Sequence, residues 1–236
     1  MLIFALDSTA VVGSVALCRD DAPIAAFTVK NGNTHSETLL PMAKALLEVT
    51  GYTPDDIDIF ACSEGPGSFT GVRIGAATVK GLAFGKGKTV IGVSSLEAMA
   101  RNLLPTTGLI CPVMNARREQ VYNALFYAEG TRLTRLCPDR ALAATDLEAE
   151  LAARGEPFYL VGDGVEVTTK AFLHLTSQPV PQLAAEQNAA GVAACALARY
   201  REGVRTTDRE LTPTYLRLPQ AERERLAREQ QNQAKG

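Results

Sequence analysis

The order of strand and helix patterns along this chain of 236 residues is repeated once. Short apolar or alternating segments between turn residues predict strands at 2–6, 12–18 and 24–29, a helix at 35–49, a buried strand at 57–62, a helix at 69–84, a strand at 90–93 and a helix at 95–104. Beyond residue 105 the patterns predict strands at 109–114, 120–127 and 132–136, a helix at 145–153, a strand at 158–161, and helices at 165–175 and 186–200. We therefore expect two α/β lobes, each built on a mixed sheet.

The duplicated order βββαβα is that of the two-lobed actin, hexokinase and Hsp70 fold, which is the fold class we expect. Residues 1–104 are predicted to form an N-terminal lobe that docks a partner, and residues 105–206 a C-terminal lobe. Residues 207–236 are predicted to form a tail that returns to the first lobe. Within it, charge pairs four residues apart at 221–235 predict a helix without an apolar face.

The charge and apolar patterns exclude several classes of protein. Twenty-four basic and twenty-six acidic side chains leave a net charge of −2, so no excess of positive charge is available to bind a nucleic acid backbone. No basic segment precedes the first apolar residues, and no apolar run reaches the ~20 residues of a membrane span, so we expect a cytoplasmic protein. The five cysteines are scattered without a Cys-x-x-Cys pair, which argues against a disulfide framework and a zinc site.

Two turns at strand ends carry residues that suit a phosphate ligand. Asp7, Ser8 and Thr9 end the first strand, where a carboxylate and two hydroxyls can hold magnesium and a phosphate. Gly162-Asp163-Gly164 follows the strand at 158–161, at the edge where α/β sheets bind ligands. An ordinary tight turn explains both sequences equally well. These six residues are candidates for a vestigial nucleotide site, and the alternative stays open.

The glycine-rich motif at 64–75, Glu-Gly-Pro-Gly-Ser-Phe-Thr-Gly-Val-Arg-Ile-Gly, lies between a predicted strand and a predicted helix. Such a turn presents free backbone N–H groups and a helix N-terminus to an anion. It is not a P-loop, because no Gly-Lys-Ser/Thr follows the glycines. It is not a dinucleotide-binding Gly-x-Gly-x-x-Gly, because a proline separates Gly65 from Gly67.

Two glycines inside the predicted helix need a physical reason, since each costs about 1 kcal/mol relative to alanine. Gly71 and Gly75 lie one turn apart on one face, beside Thr78 and Leu82. Small residues at this spacing let another backbone approach closely. From the residues alone the neighbour is either internal or another chain, and internal packing is slightly favoured.

The two histidines and a pair of arginines give weaker indications of chemistry. His35 begins a predicted helix, where Thr34 or Ser36 can act as the N-cap, so a structural role is favoured over general acid–base catalysis. His174 has no acidic or cysteine neighbour, and without a His-Glu-x-x-His motif a metal-dependent hydrolase is not indicated. Arg117 and Arg118 either face a cleft between the lobes or are solvated.

Five segments spread over nearly the whole chain resemble the TsaB (YeaZ) family. They are LDSTAVVGSVAL, HSETLLP, EGPGSFTGVRIGAATVKGLAFG, GVSSLEAMA and PTYLR. The family is the non-catalytic relative of TsaD, the subunit that transfers a threonylcarbamoyl group to adenosine 37 of certain tRNAs. The long central segment is the most specific of the five.

The resemblance implies that the chain carries no catalytic residue and no metal site. TsaD carries His-Met-Glu-Gly-His, with two metal-binding histidines, where this chain has residues 95–99, Ser-Leu-Glu-Ala-Met. The resemblance also implies that the glycine-rich helix pairs with a partner helix, with Gly71 and Gly75 allowing close approach. The implied interface residues are Gly67, Ser68, Phe69, Thr70, Gly71, Val72, Arg73, Ile74, Gly75, Thr78, Val79 and Leu82.

The resemblance further implies the partners: a TsaD-type catalytic paralogue, a TsaE-type ATPase, and a second copy of this chain when TsaD is absent. The tRNA is expected to be contacted indirectly, through the complex. No cofactor is expected to bind the chain tightly, while ATP or ADP and Mg²⁺ act in the assembled complex. The alternative function is an independent ATP-dependent kinase or ATPase of the same fold, which would use Asp7 and the glycine-rich turns.

Overall fold

The first sheet has five strands in the order β3-β2-β1-β4-β5. In this computed structural model, which describes residues 1–217, the strands are Leu2–Asp7 (β1), Gly13–Arg19 (β2), Ala22–Val29 (β3), Ile59–Gly65 (β4) and Thr89–Ser94 (β5). Strands β1, β2 and β3 pair antiparallel, whereas β4 pairs parallel with both β1 and β5. Strands β1 and β4 therefore end at the same edge of the sheet, which places their following turns side by side.

The second sheet repeats this plan around β6 (Thr106–Asn115). Its other strands are Gln120–Asn123 (β7), Phe126–Gly130 (β8), Arg132–Arg135 (β9), Arg140–Ala143 (β10) and Phe158–Val161 (β11). Strands β7 and β8 pair antiparallel with successive halves of β6 in one continuous register, while β11 pairs parallel with β6. Together β7 and β8 therefore correspond to β2, and β11 corresponds to β4, which confirms the predicted duplicated two-lobed fold.

Six α-helices and one 3-10 turn complete the described chain. They are His35–Thr50 (α1), Phe69–Ala83 (α2), Ser95–Arg101 (α3), Ala144–Arg154 (α4), Val165–Ala171 (α5), the 3-10 turn Gln182–Ala184, and Ala189–Arg201 (α6). Thr34 caps the start of α1, where its backbone N–H donates to the Glu37 carboxylate, and Gly51, with a φ of 71°, caps the end. Within residues 1–217, none of the helices is both long and apolar enough to span a membrane.

Helices cover both faces of the first sheet. Helices α1 and α2 pack on one face, where Leu46 and Val79 join Phe4 and Phe60 in a buried core. Helix α6 packs on the other face, although it lies within the range we expected in the C-terminal lobe. The division of the chain into lobes at residues 104 and 206 stays a prediction.

The segment that follows α6 runs back along the first sheet. The backbone N–H of Val90 donates to the carbonyl oxygen of Thr206 (2.9 Å), and the N–H of Thr214 donates to that of Glu64 (2.7 Å). Leu211, between these points, is buried in the core beneath α1 and α2. Residues 206–214 therefore lie against the first sheet, and the helix predicted at 221–235 lies outside the described residues.

Candidate functional site

Helix α2 packs closely on the turn after β1, and its interior glycines make this contact possible. A Cβ atom on Gly71 would lie 2.0 Å from the carbonyl oxygen of Ser8, and one on Gly75 would lie 2.6 Å from Ser8 Oγ. Ser8 Oγ also donates a hydrogen bond to the carbonyl oxygen of Gly71 (2.9 Å). Our expectation that these two glycines admit a partner helix is therefore corrected, because they admit a turn of their own chain. Val72 and Val79 are likewise buried in this chain's own core.

The Asp7 carboxylate is engaged within the chain. Its Oδ1 accepts hydrogen bonds from the backbone N–H of Thr9 (2.8 Å) and from Thr9 Oγ1 (2.7 Å). Its Oδ2 accepts one from Ser63 Oγ. Burial raises the pKa of Asp7, and these hydrogen bonds lower it by less. The three residues Asp7, Ser8 and Thr9 thus form a buried turn with its own partners, and a nucleotide site at this turn stays a prediction.

The two predicted nucleotide turns meet at a cleft of about 660 Å³ between the lobes. Thr9 lines one wall and Asp163 another, and the loop before α2 supplies Gly67. A Cβ atom on Gly67 would lie 2.4 Å from the carbonyl oxygen of Thr9, so the loop fits against the β1 turn only with glycine. Burial raises the pKa of Asp163, and the nearby Asp7 charge raises it further. Of the six candidate residues, Thr9 and Asp163 thus line one cleft, and a nucleotide site there stays a prediction.

An aromatic and cationic stack stands at the mouth of this cleft. The Arg73 guanidinium lies 3.8 Å from the centroid of the Phe69 ring, and Arg73 Nε donates to the Tyr215 hydroxyl (2.9 Å). The Phe69 and Tyr215 rings lie 4.7 Å apart between centroids. Two residues further on, Arg217 Nη1 donates to the carbonyl oxygen of Ala116 in the second lobe (2.8 Å). The end of the described chain therefore links α2 to the segment that contains Ala116.

The outer face of α2 carries a second pair of small residues that sequence analysis missed. Ala77 and Gly81 lie one turn apart and are exposed, and a Cβ atom on Gly81 would meet nothing within 4 Å. Phe84, which caps the helix, is 76% exposed. The helical period places this pair about a third of a turn from Gly71 and Gly75. The spacing of Ala77 and Gly81 is visible in the sequence. Because both faces of α2 carry small residues, only the packing shows which face is directed into the protein.

The two histidines and the two arginines considered in the sequence analysis lie in different parts of the fold. His35 Nε2 lies 2.6 Å from the carbonyl oxygen of Ala10 and holds the β1–β2 turn against the start of α1. His174 is far along the chain in the second lobe, where its backbone N–H donates to the Glu148 carboxylate (2.7 Å). Arg117 lines the cleft and has a positive φ of 63°, as does the exposed Arg118 with 54°.

The residues that stand where TsaD has metal-binding histidines lie in the protein interior. Ser95 is fully buried at the start of α3, and Met99 is 1% exposed in the core that joins α3 to the second sheet. Among residues 1–217, no group of three or more His, Cys, Asp or Glu side chains is arranged to hold a metal ion.

Comparison with known proteins shows which family the chain belongs to. A family described as TsaD, tRNA N6-adenosine threonylcarbamoyltransferase, matches residues 30–225. The Bacillus subtilis (strain 168) protein named tRNA threonylcarbamoyladenosine biosynthesis protein TsaB is 31% identical, over 94% of this chain and 96% of that protein. The chain belongs to the TsaB family. The Escherichia coli (strain K12) TsaB protein is 38% identical over 52% of this chain and 53% of its own length.

Solved structures of TsaB relatives share the fold. A Pseudomonas aeruginosa protein described as similar to the peptidase YEAZ superimposes with a TM-score of 0.78 and 24% identity, over 92% of this chain and 99% of that one. A second structure, described as YeaZ from the same organism, gives a TM-score of 0.76 and 23% identity, over 91% and 99% of the two chains. At this identity the likeness confirms the fold and carries no conclusion about activity.

Proposed function

We propose that this TsaB-family chain is a non-catalytic subunit of a tRNA-modifying complex. In this proposal it pairs with a TsaD-type transferase, joined by a TsaE-type ATPase, for the formation of N6-threonylcarbamoyladenosine at position 37 of tRNAs. The names of the B. subtilis and E. coli relatives support a role in tRNA threonylcarbamoyladenosine biosynthesis. The site of action would be the cytoplasm, and contact with tRNA would be made through the partner.

The observation that carries the proposal is the unpartnered outer face of α1 and α2. These helices lie side by side on one face of the first sheet. On α2, the small residues Ala77 and Gly81 leave room for another helix backbone to approach. Leu40 on α1 and Phe84 at the end of α2 are also exposed, by 56% and 76%, and offer apolar surface to a partner. This face suits the pairing of two helices with two others.

The residues of the predicted interface divide into two groups. Those that point outward or are half-buried remain in the proposed interface: Gly67, Ser68, Phe69, Thr70, Arg73, Ile74, Thr78 and Leu82. Four others are buried within the chain and support α2 from beneath: Gly71, Val72, Gly75 and Val79. Burial of a side chain such as Phe84 by the partner would contribute about 1.5–3 kcal/mol to pairing.

A matched pair of tryptophan substitutions tests the interface. Ala77→Trp places a large ring on the outer face of α2, whereas Ala152→Trp makes the same change on an exposed position of α4 in the second lobe. Binding to the TsaD-type protein of the same genome is measured by isothermal titration calorimetry. We expect Ala77→Trp to weaken binding at least tenfold and Ala152→Trp to leave it unchanged.

The same two variants address the homodimer proposed for the chain without TsaD. Sedimentation velocity should show dimer for the parent chain and for Ala152→Trp, and monomer for Ala77→Trp. If Ala77→Trp binds the TsaD-type protein as tightly as the parent does, the outer face of α2 is not the interface.

We also propose that the chain alone binds no nucleotide tightly, and that ATP or ADP and Mg²⁺ act in the assembled complex. The hydrogen bonds that Asp7 accepts from Thr9 and Ser63 support this, because both carboxylate oxygens already have partners. ATP hydrolysis by the pure chain, with the activity lost in Asp7→Asn, would instead favour the independent kinase or ATPase. A steady-state phosphate-release assay distinguishes the two.

A further inference from the structure

A second cavity, of about 750 Å³, contains buried polar atoms that lack hydrogen-bond partners. Gln187 lines it and is 2% exposed, yet neither its Nε2 nor its Oε1 has a hydrogen-bond partner among residues 1–217. Asp163 lines the same cavity, and its Oδ1 is buried without a hydrogen bond. The Gln187 side chain and the Asn115 backbone lie close enough to the Asp163 carboxylate to lower its pKa as weak hydrogen-bond donors, although no atom pair between Gln187 and Asp163 has the distance and angle of a full hydrogen bond. Buried polar atoms in native proteins almost always have a partner, so a partner is expected in this cavity.

The backbone around Gln187 is fixed on both sides. Two residues before it, the carbonyl oxygen of Ala185 accepts a hydrogen bond from the N–H of Gly162 (2.7 Å). Two residues after it, the N–H of Ala189 donates to Ser14 Oγ (3.1 Å) at the start of α6. The segment therefore links the end of β11 to the first sheet through two residues that are four positions apart. These two hydrogen bonds hold the backbone of Gln187 at the edge of the cavity.

The unpartnered atoms define the chemistry of a ligand. Gln187 Oε1 and Asp163 Oδ1 are acceptors, and Gln187 Nε2 is a donor. A primary carboxamide offers the complementary set, with two N–H donors and one carbonyl acceptor. A carboxylate has no donor and would face the Asp163 charge, whereas an ammonium has no acceptor for Gln187 Nε2. One part of the lining is apolar and suits a short alkyl group: Val11, Val12, Leu160, Val165, Pro179 and Val180. The rest is largely polar and includes, besides Asp163, three charged side chains, of which Lys30 and Glu186 pair with each other and Glu166 pairs with Lys170.

We propose that this cavity is a binding site for a small neutral molecule that carries a primary carboxamide on a short apolar group. Gln187 and Asp163 recognise the carboxamide, and the aliphatic wall holds the rest of the molecule. The volume of the cavity lies in the range of ordinary small-molecule sites. The inference is independent of the proposed pairing with a TsaD-type protein, because the cavity and the outer face of α2 share no residue.

The test uses three four-carbon probes, butyramide, butyrate and butylammonium, added to the full-length ¹⁵N-labelled chain. The side-chain NH₂ signals of Gln187 are assigned by their loss in Gln187→Met. We expect butyramide alone to shift these signals saturably, with a dissociation constant in the millimolar range, since it has only six non-hydrogen atoms. Gln187→Met should weaken butyramide binding about tenfold, read from backbone signals around the cavity. Gln182→Met, the same change at an exposed position outside the cavity, should have no effect.

Asp163→Asn separates hydrogen bonding from charge, and it also serves if Gln187→Met does not fold. The asparagine keeps an acceptor oxygen, so butyramide binding should stay within about threefold of the parent. Two outcomes would overturn the proposal. In one, no probe shifts the Gln187 signals and those protons exchange with water, which means that ordered water alone completes the site. In the other, butylammonium shifts them more than butyramide does, and the site then recognises a positive charge.

Discussion

Replacing Gly71 with alanine is expected to destabilise the chain, although alanine favours a helix. The new Cβ atom would lie 2.0 Å from the carbonyl oxygen of Ser8, and this neighbour is backbone, which cannot rotate away. Overpacking of this kind costs about 1–3 kcal/mol. Displacing the turn also weakens the hydrogen bond from Ser8 Oγ to the Gly71 carbonyl oxygen, which costs a further amount of about 0.5–1.5 kcal/mol. The helix propensity of alanine returns about 1 kcal/mol. We therefore expect a net loss of about 2 kcal/mol.

Gly81 supplies a control in the same helix. A Cβ atom there would meet nothing within 4 Å, so only the helix propensity changes. At a protein concentration where the chain is monomeric, Gly81→Ala should therefore stabilise it by about 0.5–1 kcal/mol. The free energy of unfolding is measured by urea denaturation, followed by circular dichroism at 222 nm. The two variants make one chemical change in one helix, and we expect effects of opposite sign.

Two outcomes of the urea measurements would contradict these expectations. If Gly71→Ala is as stable as the parent chain, α2 does not depend on close contact with the β1 turn, and the inward role of Gly71 is wrong. If Gly81→Ala also loses stability, then position 81 is not open and the outer face of α2 is packed against something in the isolated chain. A dimer would do this, so the measurement is repeated at two protein concentrations.

Three further predictions concern the Asp7 carboxylate, Arg217 and the cysteines. Asp7→Ala should cost about 2–4 kcal/mol in urea denaturation, because Thr9 and Ser63 lose their acceptor, and Asp7→Asn should cost less because it keeps an acceptor oxygen. Arg217→Ala should lower the melting temperature by about 2–4 °C, since it removes a hydrogen bond worth about 1 kcal/mol to the second lobe. Iodoacetamide labelling of the native chain, read by mass spectrometry, should modify Cys137 first, because the other four cysteines are buried.

The fold was predictable because its strands carry strong local signals. Strand β11 was predicted at the residues where it occurs, and α1 begins after Thr34, one of the two predicted N-cap residues. The strand predicted at 120–127 was less accurate, because the chain leaves the ladder at Ala124 and Leu125 between β7 and β8. Both of these residues are buried and apolar, as in a continuous strand, so the pattern does not reveal the interruption.

Contacts between distant parts of the chain shape the candidate site, and these contacts could not be predicted from the sequence. The sequence of α6 predicts a strong helix but does not say which sheet it covers, and the structure places it on the first sheet through Val192 and Ala196. The stack of Tyr215 on Phe69 and Arg73 joins residues more than a hundred positions apart, and no local pattern indicates it. The stack forms only because the residues after α6 run back to the cleft.

The two glycine pairs of α2 show how packing assigns a role to a motif. A helix with small residues on one face has one tight neighbour, and a helix with small residues on two faces has room for two. In α2 the inner face, with Gly71 and Gly75, is filled by the turn after β1, and the outer face, with Ala77 and Gly81, is open in the isolated chain. Displacement of α2 by a clash on its inner face would therefore move its outer face as well. For this reason a loss of pairing in a Gly75 variant would not locate the interface, whereas a loss in Ala77→Trp would.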